Sequence, residues 1–296
     1  MTDKTAVVTG ANAGLGYEIT AALAEKGFRV IMACRNLEKA GDALKNLQAR
    51  LPQGRFELLQ LDVSDLDSIN DFTAEFADKI GEFDLLINNA GITDVPLSRN
   101  NRGHESQLAT NYLGPFALIG KLLPLFRKTQ QCRIVNVCSL AHRFGKIDLD
   151  NLNWDDENGY KPMKSYARSK IALMSYTLEL NRRLQQSGSH VIALSAHPGF
   201  AATEITRKNG EPKNPVSRWI QSKVEPLIPS PADAARPTLM AALSSDAKGG
   251  DYFGPGGFLE IGGAPGRAKI NSKAKDTLIA KQLWSVTEEM TGFSYL

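Results

Sequence analysis

Cysteine is scarce in this 296-residue chain. The three present, Cys34, Cys132 and Cys138, are odd in number and lack metal-ligand spacing, so they read as reduced thiols and not as a disulfide framework. Long apolar runs are missing too. No window approaches about eighteen consecutive apolar residues, so no membrane span is expected. The opening MTDKTAVVTG passes into an apolar strand after a few polar residues, without the basic-then-apolar pattern of a secretory signal. Charge of one sign is also absent. A net charge of +3, with acids and bases mixed along the chain, leaves no basic stripe for nucleic acid. These absences predict a cytoplasmic protein with no metal site and no nucleic-acid partner.

What the chain does have is a regular alternation. TAVVT (5–9), RVIMA (29–33), FELLQL (56–61), DLLIN (84–88), RIVNV (133–137) and HVIALSA (190–196) are near-continuous apolar runs, as strands covered on both faces should be. Helical patterns lie between them, over Leu15–Glu25, Leu37–Leu51, Asp65–Lys79, about 103–127 and about 162–184. A seventh strand is predicted near FLEIGG (258–263), after a helix that Ser230-Pro231 starts. This spacing predicts an α/β fold: a doubly wound parallel sheet of about seven strands with helices on both faces. The whole of 1–296 reads as a single dinucleotide-binding catalytic domain. Two stretches break the alternation. Residues 199–229, rich in Pro, Gly, Asn and Lys, are a candidate substrate lid. The extension from about 264 to 296 is basic and then amphipathic, and is expected to pack on the body or on a second subunit, with closure of the active site as the alternative.

TGANAGLG (9–16) joins the first strand to the first helix, with Gly10, Gly14 and Gly16 in a G-x-x-x-G-x-G spacing. Such glycines permit a tight turn, close backbone approach to a pyrophosphate and close helix–strand packing, and free N–H groups at the helix start face the phosphates. Asn12 and Leu15 belong to the same turn. A ribose 2′-hydroxyl is usually held by an acid at the tip of the second strand. Here the strand ends Ala33-Cys34-Arg35, and Arg35, with Lys39 beyond it, suits a 2′-phosphate. NADP(H) is therefore the expected cofactor, with NAD(H) the alternative.

The stretch NGYKPMKSYARSK contains Tyr-x-x-x-Lys twice, at Tyr160–Lys164 and Tyr166–Lys170. With seven tyrosines and nineteen lysines in the chain, chance alone supplies roughly half a match. Pro162 separates the two pairs. It disfavours helical geometry at Lys161 and suits the first helical turn itself, which leaves Tyr160 outside the helix. Tyr166 and Lys170 fall inside it on one face. A phenol of ordinary pKa near 10 needs roughly 4 kcal/mol to reach 7, and a neighbouring ammonium favours the phenolate.

In this order, TGANAGLG, LDVSD (61–65), NNAG (88–91), TNYLG (110–114), Ser139 after RIVNVC, SYARSK (165–170) and HPG (197–199) resemble the short-chain dehydrogenase/reductase family over about residues 4 to 262. The resemblance implies Tyr166 as general acid/base, Lys170 lowering its pKa and holding the nicotinamide ribose, Ser139 binding the reacting carbonyl, and Asn111 holding a water in a proton relay. It also implies that Asp62 and Val63 lie against the adenine. Asn89, Ala90 and Gly91 would flank the adenosine, and Pro198, Gly199 and Thr203 would cover the nicotinamide and phosphates. Cys138 is expected to be a packing residue. The long insert between Ser139 and Tyr166, together with MACRN, is most similar to the retinol dehydrogenase branch, which also resembles light-dependent protochlorophyllide reductase. The membrane-anchoring N-terminus common in retinol dehydrogenases is absent from this sequence. The implied activity is hydride transfer between NADP(H) and an aldehyde, ketone or alcohol, in a protein expected to form homo-oligomers. A cofactor sensor without chemistry and a structural subunit of a larger assembly are the other readings, and the complete set of four catalytic residues argues against both.

Overall fold

Apolar runs become strands here because helices cover them on both sides. The computed structural model describes residues 4–199 and 229–296. Its strands are β1 (Thr5–Thr9), β2 (Arg29–Cys34), β3 (Arg55–Gln60), β4 (Leu85–Asn88), β5 (Cys132–Val137), β6 (Val191–Ala196), β7 (Tyr252–Pro255) and β8 (Pro265–Arg267). They form one sheet in the order β3-β2-β1-β4-β5-β6-β7-β8. Every neighbouring pair is parallel except β7 with β8. Adjacent residues point to opposite faces. Val7, in register with Ile31 and Leu86, enters one core, and Val8, in register with Met32 and Ile87, enters the other.

One core is closed by α1 (Gly14–Glu25), α2 (Leu37–Arg50) and α6 (Pro231–Leu243). The other is closed by α3 (Leu66–Lys79), α4 (106–122), α5 (Pro162–Gln186) and α7 (Thr277–Thr291). Short polar side chains start several of these helices. Asn36 Oδ1 accepts from the Lys39 N–H at 2.9 Å, Ser230 Oγ from Asp233 at 3.1 Å, and Asp276 Oδ1 from Leu278 and Ile279 at 3.0 and 3.1 Å. Proline does the same work for α5: Lys161 is extended (φ −133°, ψ 122°) and Pro162 opens the helix.

Two elements differ from the sequence expectation. The seventh strand lies at Tyr252–Pro255, and Phe258–Glu260 is a turn of 3₁₀-helix in the loop joining β7 to β8. Gly257 N–H donates to Gly262 O at 2.9 Å and closes that loop. The apolar run 258–261 is therefore held at the surface, with Phe258 85% exposed, while Tyr252 and Phe253 are buried. The helix expected over about 103–127 is a composite. A turn of α-helix at Ser106–Leu108 passes through a π-helical stretch, Ala109–Leu113, into α-helix again at Gly114–Leu122. A π-stretch inside a helix often marks a functional site, and this one carries Asn111.

The extension packs on the body. Trp284, 1% exposed, sits against Phe116 and Tyr176 with ring centroids 5.2 and 5.5 Å away, and the Tyr112 and Thr287 hydroxyls are 2.6 Å apart. Burying an aromatic of this size contributes about 2–3 kcal/mol. No helix among the described residues is long and apolar enough to cross a membrane.

Candidate active site

The chain leaves β1, builds β2 and β3 to one side, and returns to place β4 on the other. Open α/β sheets bind ligands in the crevice at such a switch point, beyond the carboxyl ends of the strands. The glycine turn and NNAG flank that crevice and are tied together. Thr9 Oγ1 accepts from the Asn89 and Ala90 N–H groups at 3.0 and 2.9 Å, and Asn89 Nδ2 donates to Thr9 O at 2.9 Å. Gly10 and Gly14 have φ of 64° and 52°, and a Cβ on Gly16 would lie 2.2 Å from Gly10 O. The start of α1 has no side-chain cap, and a Cβ on Gly14 would face open space. Asn12 and Leu15 sit in this turn, with Leu15 buried. Uncapped N–H groups beside open space fit a pyrophosphate.

Arg35 stands at the tip of β2 with its side chain 74% exposed and its guanidinium 3.7 Å from Asp62 Oδ2. An exposed pair of this length contributes little, so the guanidinium can turn to another anion. Asp62 is anchored: its Oδ1 accepts from Ser64 N at 2.9 Å and Ser64 Oγ at 2.6 Å. Val63 beside it is buried. Pro198 and Gly199 follow β6, and Gly199 N–H donates to His197 Nδ1 at 3.2 Å. Thr203 and most of the candidate lid lie outside the described residues.

The four residues expected to do the chemistry converge beside this crevice. Ser139, just past β5, is within hydrogen-bonding reach of Tyr166 on α5. The Lys170 ammonium, 4% exposed, lies 5.8 Å from the centre of the Tyr166 ring and donates to Val137 O at 2.9 Å. Asn111 Nδ2 donates to Ile92 O and Ser169 Oγ, both at 2.9 Å, and its Oδ1 accepts from Ile92 N at 2.9 Å. A Cβ on Gly91 would lie 3.0 Å from Asn111 Oδ1 and 3.5 Å from Lys170 Nζ. Gly91 thus leaves room between two polar groups. Burial dominates the titration of the pair. It raises the Tyr166 phenol above its ordinary 10, opposed by the hydrogen bond with Ser139, and lowers the Lys170 ammonium to about 8. Cys138 is buried and burial pushes its thiol up to about 11, which makes it a packing residue and a poor nucleophile.

The other Tyr-x-x-x-Lys pair is held apart from this group. Tyr160 Oη lies 3.0 Å from Glu105 Oε1 and 3.2 Å from Val95 O, and Lys164 is exposed. Glu105 is fully buried and joins three segments. It caps the start of α4 through the Gln107 and Leu108 N–H groups and accepts from Ser165 Oγ at 2.8 Å, next to Tyr166.

A second polar group was not visible in the sequence. His197 Nε2 lies 3.0 Å from Glu260 Oε2, and Arg143 NH2 lies 2.6 Å from the same oxygen. Because Gly199 N–H donates to Nδ1, the neutral His197 ring carries its proton on Nε2 and donates to Glu260. Residues 260 and 143 are distant in the chain and neither stands in a motif, so no local signal could have paired them.

The sequence profile described as short chain dehydrogenase matches residues 4–150. Retinol dehydrogenase 13 of Homo sapiens is 36% identical, with 98% of this chain and 85% of that protein aligned. The short-chain dehydrogenase/reductase prx1 of Penicillium roqueforti is 37% identical over 99% of this chain and 86% of its own length. A crystal structure of an uncharacterized protein from Mycobacterium paratuberculosis superposes with a TM-score of 0.80 at 37% identity, covering 99% of this chain and 95% of that one. Profile, relatives and the site assembled at the switch point agree: the chain belongs to the short-chain dehydrogenase/reductase family of nicotinamide-dependent oxidoreductases, in its retinol dehydrogenase-like branch.

Proposed function

We propose that this protein is an NADP(H)-dependent reductase of apolar aldehydes and ketones, also able to run the reverse alcohol oxidation. The observation that carries the reading is the convergence of Ser139, Tyr166, Lys170 and Asn111 beside the glycine turn. When bound, the nicotinamide supplies or accepts the hydride. The N–H groups of the Gly10–Gly16 turn would bind the pyrophosphate, Arg35 the 2′-phosphate, Asp62 and Val63 the adenine, and Lys170 the nicotinamide ribose. Ser139 donates a hydrogen bond to the substrate oxygen. Tyr166, which burial keeps protonated, gives that oxygen its proton. A phenol raised in this way suits carbonyl reduction, and the reverse direction requires the phenolate to be stabilised by more than the roughly 4 kcal/mol that separates a pKa of 10 from 7.

The substrate class has two supports. Phe144, Met163, Phe258 and Leu259 are 86%, 52%, 85% and 62% exposed. Phe144 follows Ser139 closely, Met163 precedes Tyr166 by one turn, and the Arg143–Glu260 ion pair ties the 258–260 loop to the residue before Phe144. An apolar rim suits an apolar carbonyl compound. Several relatives are named retinol dehydrogenases, which makes retinol's aldehyde a natural member of the panel to test. The test follows NADPH and NADH consumption with all-trans-retinal and with aliphatic and aromatic aldehydes and ketones. The reading expects turnover that prefers NADPH and the more apolar carbonyls. Equal rates with NADH would remove the role given to Arg35, and preference for small hydrophilic carbonyls would remove the role given to the rim.

A further inference from the structure

Two features outside the proposed catalytic set meet at one imidazole. His142 is fully buried three residues after Ser139. Its backbone N–H donates to Ser139 O at 3.1 Å, and its ring Nδ1 lies 2.7 Å from the same oxygen. The other ring nitrogen, Nε2, accepts from the Asn271 backbone N–H at 3.3 Å. That donor fixes the tautomer. With Nε2 an acceptor, the neutral ring carries its proton on Nδ1 and donates it to Ser139 O. The Ser139 carbonyl is therefore gripped twice by one residue. Asn271 adds a second hold on the same turn, since its Nδ2 donates to Arg143 O at 2.9 Å and to His142 O at 3.5 Å.

We propose that His142 is a positioning residue for Ser139, held in its working tautomer by Asn271 of the C-terminal extension. Ser139 starts a five-residue 3₁₀-turn, Leu140–Phe144, a form with weak hydrogen-bond geometry of its own. Its Oγ accepts only a 3.2 Å bond from Ala141 N within that turn, so the direction of the hydroxyl toward Tyr166 depends on how firmly its backbone is held. The imidazole supplies the hold, and the extension supplies the proton order. The hydrogen bonds of His142 run to Ser139 and Asn271 and not to the glycine turn or the tip of β2, so NADPH affinity is expected to change little when it is replaced. The extension thus has a task at the active site besides covering α4 and α5. This inference rests on the reading of Ser139 and Tyr166 given above.

The test uses the full chain and compares His142→Leu, His142→Asn, His142→Gln and Asn271→Ala, with Tyr166→Phe in the same assay. An asparagine amide nitrogen falls where Nδ1 was and keeps the donor to Ser139 O. A glutamine amide reaches the level of Nε2 and keeps only the partner on Asn271. The expected result is a fall in kcat of roughly ten- to hundredfold for His142→Leu and His142→Gln, because small displacements of a positioning group cost rates of this order. His142→Asn should restore kcat to within about threefold of wild type, and Asn271→Ala should lose about three- to tenfold. KM and the Kd for NADPH should stay within about twofold throughout. Melting temperatures separate positioning from folding, because a purely structural role orders the variants by stability and not by the kept donor. If His142→Leu is too unstable to purify, the Asn–Gln contrast and Asn271→Ala decide the matter. Equal kcat for the Asn and Gln variants, or wild-type kcat in His142→Leu while Tyr166→Phe is inactive, overturns the proposal. Wild-type kcat in Tyr166→Phe instead overturns the reading beneath it.

Discussion

Tyr160 and Tyr166 each have a lysine four residues on, and their surroundings suit them to different tasks. Tyr160 lies just before α5, in hydrogen-bond contact with a buried carboxylate, Glu105, and with Val95 O. Tyr166 lies inside α5, with Ser139 at its oxygen and Lys170 beside its ring. Burial raises the phenol pKa in both cases and a neutral neighbour opposes the rise in both, Gln107 at Tyr160 and Ser139 at Tyr166; the partners differ in that the Glu105 carboxylate raises Tyr160 further. A tyrosine hydrogen-bonded to a carboxylate is a structural donor. A tyrosine paired with a neutral hydroxyl beside an ammonium can give up a proton and recover it. The spacing is shared, and the partners decide the chemistry.

Removing each phenol tests that contrast most directly. Tyr166→Phe should lower kcat by about a thousandfold with NADPH affinity retained, as expected for loss of a general acid. Lys170→Met comes next and has a double signature. Turnover should fall about a hundredfold. Stability should rise, because the native state carries an ammonium whose pKa is lowered from 10.5 to about 8 by burial. The unfolded chain binds more protons between those values, so this group's contribution to stability increases as pH rises from about 8 to 10.5. At pH 7 the variant should therefore be more stable by about 2 kcal/mol, once the lost bond to Val137 O offsets part of the relieved cost. That advantage should shrink toward pH 10.5 in chemical denaturation series. A gap independent of pH would show that the ammonium is not destabilised in the fold.

Arg35→Ala has a smaller expected effect, about tenfold weaker NADPH binding with NADH binding unchanged, measured by cofactor fluorescence titration. Equal losses for both cofactors would place Arg35 in a structural role. The Tyr160 pair should respond least. Tyr160→Phe removes a hydrogen bond to a carboxylate and should cost about 1–2 kcal/mol of unfolding free energy with kcat within about threefold of wild type, while exposed Lys164→Ala should change stability by less than about 0.5 kcal/mol. A large kcat loss in Tyr160→Phe would show that the Glu105 hub positions Tyr166 and does more than close the fold.

Much of the architecture was legible along the chain. Continuous β-branched runs at TAVVT and RIVNV gave strands because a two-sided sheet needs apolar side chains on both faces. Ser230, followed by Pro231, marked a helix start because a short side-chain oxygen satisfies free N–H groups there, as its Oγ does for Asp233 in the fold. Pro162 separated the two tyrosine pairs for the same kind of local reason. The seventh strand was misjudged because FLEIGG and DYFGP are both apolar and only tertiary burial chooses between them. In the fold, Phe253 is buried against the sheet and Phe258 is left on the loop.

The amino-acid sequence by itself determined the first six strands and the helices between them in outline, where the glycine turn stands, and that Tyr166 and Lys170 share a helix face. These are consequences of backbone sterics, periodicity and capping, all of which act within a few residues. The tertiary structure alone decided the grip of His142 on Ser139 with Asn271 beyond it, the Glu105 link from Tyr160 to Ser165, and the sharing of Glu260 by His197 and Arg143. Those contacts join residues as far as 129 positions apart. A buried polar group must find a partner, and which partner it finds depends on how the sheet and helices pack.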